Sequence, residues 1–381
     1  MKVLMISTDL ALAGAKVTTG DAVKRHIDYG SNVDRLDIIV FSFGNYQDAN
    51  LSENVFIYPT NSNSKLGMFF DSIKLAKGLG HKFNYDLVVC QDPFLTGLAG
   101  LRLKKILKSK LLVHFHGDFW SNSYWWQENY LRLGLLVISR FVINRADYIR
   151  TVSAGIKSKL IKAGVLKHKI KVVSTPVDLD YFKQPDLETV SSIKSEYKGK
   201  KIILWAGKIR QEKNIILLIK VFKQLLYKYK DAVLLLAGSG RDYNKIDKFR
   251  LQIGVTDEVK LLGHVSKSML VNYFHAADIF VLPSRHESLG KVLLEAAMAS
   301  KAVVASKTTG AKEIIKDDKT GFLVGVNNQE QLQQKLLKLL QDDNLRVKMG
   351  KNFYDDVVKR FDYNRQVKEV VNYWREIVGE D

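Results

Sequence analysis

Short runs of leucine and β-branched residues alternate with segments of helical periodicity along nearly all of the 381 residues. In the first half these runs predict strands at 3–7, 36–41, 87–90, 111–115, 148–152 and 171–173. A second series predicts strands at 202–205, 233–237, 259–262, 279–282, 303–305 and 322–324, and residues 329–381 are predicted to be almost wholly helical. Such alternation is typical of open parallel sheets covered by helices on both faces. We therefore predict an α/β protein with two sheets.

The two series are separated by a segment that favours a linker. Residues 174–200 contain Pro176 and Pro185, followed by a charged and weakly apolar stretch. We expect a first domain at 1–175, a second at 176–360 with the linker at about 174–200, and a final helix at 361–381. Open α/β sheets bind ligands at the carboxyl ends of their strands, so two facing sheets would form a cleft.

Composition narrows the class of protein. The chain is 46% hydrophobic and has only 5 prolines, which argues against extended disorder. A single cysteine, Cys90, excludes an internal disulfide and a multi-cysteine metal site, and fits a reducing cytoplasm. The apolar run at the N-terminus is too short for a signal peptide, and Asp9 interrupts it. Residues 133–143 are too few to span a membrane, which needs roughly 20 residues.

The formal net charge of +19 predicts an anionic partner without identifying it. Basic residues interleave with apolar ones in two clusters, as on amphipathic helices, and this favours a peripheral position on an anionic membrane. The alternative is a solvated lysine-rich surface. Nucleic acid is not expected, because no recognised binding motif accompanies the charge. The clusters are Arg102, Lys104, Lys105, Lys108 and Lys110, and then Lys157, Lys159, Lys162, Lys167, Lys169 and Lys171.

Two carboxylates stand eight residues apart around a glycine, at Glu287 and Glu295. Glu295 lies on a predicted helix that is otherwise apolar, where a carboxylate is costly unless it has a bonding partner such as a ribose diol. Gly290 lets a ligand approach the free N–H groups at the start of that helix, where an anion is favoured. This pattern suits a diphosphate flanked by two sugars. An ordinary amphipathic helix with Glu295 facing solvent is the alternative.

Four blocks, taken in order, resemble family 4 of the retaining glycosyltransferases, which have the GT-B fold. A single glycine-bearing block would be ordinary turn chemistry, whereas the ordered set is specific. The resemblance implies an α/β GT-B fold of two facing Rossmann-like domains with a cleft between them, and a C-terminal helix that crosses back to the first domain. The blocks are AGKIRQEKN at 206–214, LAGSG at 236–240, ESLGKVLLE at 287–295, and TGAKEII at 309–315 with TGFLV at 320–324.

The resemblance also implies roles for individual residues. Glu287 would bond hydroxyls of the donor sugar, Glu295 would bond the ribose, and Lys208 and Lys213 would hold the diphosphate. The family has arginine at the position of Lys208, and lysine lacks its bidentate fork. Strand alternation would point Arg210, which could compensate, away from the site. The remaining implied donor contacts are Gly207, Gly238, Leu289, Gly290 and Lys291, with backbone recognition of the base near His264 and Val265.

The first half resembles the family more loosely, and it would bind the acceptor. Gly14 lies where the family has a glycine loop after the first strand. His116 corresponds to a histidine beside the reacting sugar, although periodicity alone leaves His114 on the same side and Asp118 as a further competitor. The aromatic segment that follows contains Trp120 and can be a platform for sugars or a buried cluster.

The expected function follows from the resemblance: retaining transfer of a sugar from a UDP- or GDP-sugar to a saccharide or polyprenyl-linked acceptor. The products would be cell-surface polysaccharide or glycolipid, made in the cytoplasm at the inner face of the membrane. The Asp178–Asp180 pair lies in the linker, so no metal site and no cofactor are expected; His116, Glu287, Lys208 and Lys213 would carry the chemistry. A non-catalytic sugar-binding relative and a nucleotide-sugar epimerase remain alternatives.

Overall fold

The computed structural model describes residues 1–14, 21–120, 123–127, 130 and 132–380. The chain divides into two compact units. Unit 1 consists of Met1–Pro176 and Tyr363–Asp381, and unit 2 consists of Val177–Asp362. The boundary therefore falls directly after Pro176, and the chain returns to unit 1 for its last helix.

Unit 1 contains an eight-stranded sheet in the order β3-β4-β2-β1-β5-β6-β7-β8, in which only the β3–β4 pair is antiparallel within the described residues. Its strands are β1 Lys2–Ser7, β2 Arg35–Val40, β3 Ala49–Ser52, β4 Val55–Pro59, β5 Leu87–Cys90, β6 Lys110–Phe115, β7 Tyr148–Thr151 and β8 Ile170–Val172. Its helices before the boundary are α1 Ala22–Gly30, α2 Lys65–Gly80, α3 Leu95–Leu107, α4 Ser123–Gln127, α5 Arg132–Arg145 and α6 Ala154–Lys162.

Unit 2 contains a six-stranded parallel sheet in the order β11-β10-β9-β12-β13-β14. Its strands are β9 Lys201–Ala206, β10 Ala232–Ala237, β11 Val259–Gly263, β12 Ile279–Leu282, β13 Ala302–Ser306 and β14 Phe322–Val324. Its helices are α7 Leu187–Glu196, α8 Ile215–Leu226, α9 Tyr243–Gln252, α10 Lys267–Ala276, α11 Lys291–Met298, α12 Thr309–Ile314, α13 Gln329–Gln341 and α14 Asp343–Arg360. Every strand predicted from the apolar runs is present. The two short strands β3 and β4 were missed.

The last helix, α15 Tyr363–Val378, packs its apolar face on the sheet of unit 1. Trp374 is fully buried and meets the Tyr29 ring edge-on, with centroids 5.3 Å apart. Arg375 donates to the carbonyl of Asn32 at 3.0 Å, and Lys171 pairs with Glu376. The buried residues of this helix include Val367, Val370, Val371, Trp374 and Ile377, which recur at helical spacing.

The two basic clusters are not the amphipathic helices that the sequence suggested. The first runs from α3 through its left-handed C-cap Lys108 into β6, and the second runs from α6 into β8. Lys104 pairs with Asp147 and Lys159 with Asp118, while Lys169 donates to the carbonyl of Ala146. These three lysines therefore bind neighbouring groups of unit 1. Within the described residues, no helix has the length and apolarity to cross a bilayer.

Candidate active site

The carboxyl ends of β9 and β10 are held side by side through two glycines. Gly207 donates to the carbonyl of Ala237 at 3.0 Å, and Gly238 donates to that of Gly263 at 2.7 Å. A β-carbon on Gly238 would lie 1.8 Å from the carbonyl oxygen of Gly207, and both residues have φ near +150°, at 152° and 153°. Only glycine fits there, because the backbones approach so closely. Gly238 therefore shapes the site rather than lining it.

The loop after β9 places three cations at this edge. A short 3₁₀ helix, Gln211–Lys213, follows Arg210 and ends at Asn214, which has φ of 59°. Lys208 is exposed, and Arg210 faces the same cavity as Lys208 and Lys213. The expectation that Arg210 points away was wrong, because β9 ends at Ala206 and strand alternation stops there.

Glu287 is held in place from two sides. The ammonium group of Lys213 pairs with Glu287 Oε1, and the hydroxyl of Ser284 donates to the same oxygen at 3.0 Å. The backbone carbonyl of Glu287 accepts from the N–H of Gly310 at 2.8 Å. A half-buried carboxylate with these partners has a fixed position before any ligand is considered.

Helix α11 begins directly after Gly290, which adopts a left-handed conformation with φ of 79°. Gly290 supplies no side-chain cap to this N-terminus, where an anion is favoured by the helix dipole. Glu295 lies on the polar side of the helix, whereas Leu293, Leu294 and the Ala296–Met298 segment are buried. The geometry matches the pattern of two acids around a helix-opening glycine.

These groups line a single cavity of about 520 Å³ in unit 2. It brings together Gly207, Lys208, Lys213, Glu287, Gly290, Lys291 and Glu295, all of them expected from the sequence. Leu289 lies behind it against Gly310, and neither His264 nor Val265 lines it. The wall also includes Ala206, Arg210, Glu212, Leu270 and Val292.

Two of these additional residues are charged: Arg210 was expected to point away from the site, and Glu212 was not expected in it. Arg210 adds a third cation beside Lys208 and Lys213, and it compensates in number for the absent arginine at 208. Glu212 adds a carboxylate whose Oε2 is buried without a hydrogen-bond partner among the described residues. Both residues belong to the AGKIRQEKN block. The 3₁₀ turn sets the direction of their side chains, and the periodicity of a strand does not predict such a turn.

Gly14 closes a short 3₁₀ helix, Leu10–Ala13, after β1 of unit 1. Asp9 caps this turn by accepting from the N–H of Ala11 at 3.1 Å, and Gly14 has φ of 83°. A left-handed glycine is therefore required at this point of the loop. Residues 15–20, which follow Gly14, lie outside the described residues.

His116 follows β6 and belongs to a buried polar network in unit 1. Its Nε2 lies 3.2 Å from Nδ1 of His114, and its Nδ1 lies 3.5 Å from the hydroxyl of Thr175. Arg150, opposite His114 in the sheet, donates to the carbonyls of Val173 and Ser174 at 3.0 and 2.7 Å. Arg150 thus fixes the segment that brings Thr175 to His116, and it was not expected from the sequence.

The histidines of this network are held neutral. Burial, with the positive charges of Arg150 and Arg25, lowers the pKa of His116 to about 3. Burial and Arg150 also lower the pKa of His114, whose Nε2 is buried without a hydrogen-bond partner. At neutral pH the His116 imidazole can therefore give or accept a hydrogen bond, but it does not supply a proton as an imidazolium.

The aromatic segment after His116 is largely a packed cluster. The indole of Trp120 donates to the hydroxyl of Ser139 at 2.7 Å and packs on the core, which favours the buried alternative for this residue. Trp125 stacks on Phe94 with centroids 5.4 Å apart. Ser121 and Asn122, within the same segment, lie outside the described residues. Asp118 pairs with Lys159 and is thereby committed to a structural contact.

Solved structures share this architecture along the whole chain. HepE from Anabaena, solved with UDP and glucose, has a TM-score of 0.79 at 19% identity, covering 99% of this chain and 100% of its own. Sucrose-phosphate synthase from Thermosynechococcus elongatus has a TM-score of 0.82 at 18% identity, covering 100% of each chain. The fold is GT-B, as predicted.

Sequence comparisons define the family. The family described as "Glycosyl transferases group 1" matches residues 188–356, and "Glycosyltransferase Family 4" matches residues 33–181. An uncharacterized glycosyltransferase of Methanocaldococcus jannaschii is 25% identical over 99% of each chain. The 2-deoxystreptamine N-acetyl-D-glucosaminyltransferase of Niallia circulans is 26% identical over 77% of each. The chain belongs to glycosyltransferase family 4, and it is a transferase of sugars; the resemblance and the enzyme class are confirmed.

The neutral histidines predict a specific loss of stability in acid. A folded pKa below the ordinary 6.5 means that only the unfolded chain takes up the proton as the pH falls, so the free energy of unfolding decreases below about pH 6.5. Between about pH 7.5 and about pH 5, one such buried histidine costs about 2 kcal/mol. Replacing His114→Asn should reduce the acid-induced loss by about this amount, measured by urea unfolding at both pH values.

The matched control is His81→Gln, which changes an exposed histidine of the same unit. Its acid-induced loss should equal that of the unaltered protein. An unchanged pH dependence in the His114→Asn variant would contradict the assignment of a neutral, buried imidazole.

Proposed function

We propose that this enzyme transfers a sugar from a UDP- or GDP-sugar to a hydroxyl group of a saccharide or lipid-linked saccharide, with retention of anomeric configuration. The observation that carries the proposal is the cavity of about 520 Å³ in unit 2, which combines four cations, Lys208, Arg210, Lys213 and Lys291, with carboxylates around the N-terminus of α11. A nucleoside diphosphate sugar presents the complementary groups: two phosphates between two polyhydroxylated rings.

The phosphates match the basic side of the cavity. Lys208, Arg210 and Lys213 supply positive charge, and the N–H groups after Gly290 supply directional donors. Lys213 uses one of its three ammonium protons on Glu287, so it can still donate to a phosphate.

The hydroxyl groups match the carboxylates. Glu287, fixed by Lys213 and Ser284, would accept from hydroxyls of the donor sugar, and Glu295, near the start of α11, would accept from the ribose. A carboxylate accepts at several lone-pair positions, so Glu287 can keep its two partners and still bind a sugar. In this assignment neither residue transfers a proton.

The reaction breaks the bond between the anomeric carbon and the β-phosphate oxygen, and forms one between that carbon and the acceptor oxygen on the same face. The β-phosphate oxygen takes the hydroxyl proton of the acceptor. Lys208, Lys213 and the helix N-terminus stabilise the charge that grows on the leaving diphosphate, so we propose catalysis without a metal or cofactor. His116, neutral in unit 1, would contact the reacting sugar by a hydrogen bond.

Several relatives support the choice of substrates. HepE has been solved with UDP-glucose, and its structure has a TM-score of 0.76 with this chain. The Niallia circulans enzyme is named for transfer of N-acetyl-D-glucosamine to 2-deoxystreptamine. A Staphylococcus aureus relative, 27% identical over 60% of this chain and 61% of its own, is named a capsular polysaccharide biosynthesis glycosyltransferase. The Staphylococcus aureus name supports a role in polysaccharide synthesis.

A donor panel tests the reaction directly. The protein is incubated with UDP- and GDP-sugars and with saccharide acceptors, and the release of nucleoside diphosphate is measured with and without a chelator. We expect release with one donor class, unchanged by the chelator, and a product with the anomeric configuration of the donor by NMR. Tight binding without turnover would support a non-catalytic relative, epimerised donor would support an epimerase, and loss of activity with the chelator would overturn the metal-free mechanism.

Three variants separate the roles of the charged residues. Glu287→Gln should lower transfer without weakening the binding of the free nucleoside diphosphate, because that ligand lacks the donor sugar. Glu295→Gln should weaken the nucleoside diphosphate but not inorganic pyrophosphate, which lacks ribose. Lys213→Gln should weaken both and lower kcat by about a hundredfold to a thousandfold, since it removes charge from the leaving group. Calorimetry gives the Kd values, and product assays give kcat.

Exposed residues of unit 2 provide the matched controls, Glu330→Gln for the acids and Lys228→Gln for the lysine. Both should match the unaltered protein. A loss of nucleoside diphosphate binding in Glu287→Gln equal to that in Lys213→Gln would refute the separation of sugar from phosphate contacts.

We also propose that the enzyme associates peripherally with the inner face of an anionic membrane, where a polyprenyl-linked acceptor would lie. The structural basis of this proposal is helix α5 rather than the two basic clusters. Leu133, Val137 and Phe141 recur every four residues on this helix and are 44%, 70% and 45% exposed. Arg140 and Arg145 lie on the same helix, and a basic residue near such a surface contributes about 1 kcal/mol. The combination of an apolar stripe and arginines is typical of interfacial helices.

Flotation with vesicles of phosphatidylglycerol and phosphatidylcholine tests this position. The protein should float with these vesicles at low salt, and the double change Val137→Ser and Phe141→Ser should reduce the bound fraction at least several-fold by removing apolar contact. The control Val347→Ser changes a residue of α14 that is 68% exposed, and should have no effect. Equal flotation of both variants would contradict a role for α5.

A further inference from the structure

A second, basic pocket lies at the amino edge of the sheet in unit 2. It has a volume of about 530 Å³ and shares no lining residue with the donor cavity. Positive charge dominates its wall, with Asp278 as the acidic residue among those that line it. The cations are Lys194, Lys198, Lys200, Lys201, Lys301 and Arg346.

The carboxylates at this pocket already have hydrogen-bond or ion-pair partners. Asp278 accepts from the N–H of Ile202 at 2.8 Å, and its other oxygen lies 3.5 Å from Arg346 and 4.0 Å from Lys201. Asp343 pairs with the same two cations, at 2.7 Å from Arg346 and 3.2 Å from Lys201. Within the described chain, the other four lysines have no ion pair with a carboxylate.

Among these four lysines, Lys301 gives the strongest indication that the pocket binds an anion. It is half-buried before β13, and its ammonium group donates to the backbone carbonyl of His275 at 2.9 Å. Burial, followed by the charge of Lys194, lowers its pKa to about 8. A half-buried ammonium group beside other cations is unfavourable, so a bound anion would relieve both the desolvation and the repulsion.

The local backbone holds Lys301 in this position. Ser300 precedes it with φ of 53°, a left-handed conformation that is costly for a residue other than glycine. Gly350 of α14 packs against the Ser300 carbonyl, where a β-carbon would lie only 2.0 Å away.

We propose that this pocket binds a small phosphate-bearing molecule. Phosphate is an anion with several strong acceptor oxygens, and it can bond several lysines at once. The pocket has the volume of a small-molecule site rather than of an extended groove. The site is distinct from the donor cavity, because β9 runs from Lys201 in the pocket to Ala206 in the cavity wall.

Affinity labelling of the complete protein tests the site. Pyridoxal 5′-phosphate carries both a phosphate and an aldehyde that condenses with a neutral lysine amine; borohydride then fixes the adduct. Peptide mapping should find Lys301 labelled at least about tenfold faster than the exposed Lys228, because its amine is more often neutral. Inorganic pyrophosphate should protect Lys301. Equal labelling of both lysines, or no protection, would overturn the proposal.

Calorimetry with inorganic pyrophosphate gives an independent test. The double variant Lys208→Gln and Lys213→Gln first weakens the donor cavity, so the remaining binding reports the basic pocket. Adding Lys301→Met should weaken that binding about tenfold, as expected for loss of a charged hydrogen-bond donor. Lys198→Gln, at an exposed position, should weaken it without disturbing the core.

The control Lys228→Met should leave pyrophosphate binding unchanged in the same background. Unchanged binding in both Lys301→Met and Lys198→Gln would refute the site, as would binding of an RNA oligonucleotide at this pocket when pyrophosphate does not bind. Binding of nucleoside diphosphate to the otherwise unaltered Lys301→Met protein should be retained, which distinguishes this site from the donor cavity.

Discussion

The geometry of the donor cavity depends on one backbone contact, in which Gly310 packs directly against the segment 287–289. Its N–H donates to the carbonyl of Glu287 at 2.8 Å, and a β-carbon on Gly310 would lie 2.5 Å from the backbone of Leu289. Any other residue would push this segment away. Since the segment carries Glu287 and leads into Gly290, the contact sets both the position of the Glu287 carboxylate and the start of α11. The rest of the cavity is arranged around that fixed loop.

Opposite charges within the cavity pair with each other. Lys213 and Glu287 are assigned to different parts of the donor, yet they pair with each other. An isolated charge at a half-buried position is costly, and pairing reduces that cost while leaving free protons on the lysine and free lone pairs on the acid. Lys208, which remains exposed, pays no such cost. The arrangement therefore keeps the groups ionised and oriented without a metal in the proposed mechanism.

Much of the fold could be predicted from the sequence, because buried parallel strands are continuous apolar runs. Strands β3 and β4 were missed for the same reason: β3 is short and partly exposed, and β4 alternates buried with half-buried residues. The glycines and acids of the donor cavity could be placed because each belongs to a local block. The pair between Lys213 and Glu287 joins residues 74 positions apart, and Arg150 acts through carbonyls 23 and 24 residues away. Such contacts depend on tertiary packing, which periodicity does not encode.

The basic character of the chain has several separate physical origins. Some lysines of the predicted clusters bind carboxylates or carbonyls within unit 1, and therefore contribute little to an open surface field. Burial, together with the buried cation of Arg150, keeps the imidazoles of His114 and His116 neutral. In unit 2, by contrast, cations converge on two pockets at opposite edges of one sheet, and α11 begins at the first while Lys301 follows its end. Net charge alone predicts only an anionic partner, whereas the distribution distinguishes structural cations from those that face a ligand. Helix α11 thus connects the two pockets, with its N-terminus at the first and Lys301 just beyond its C-terminus at the second.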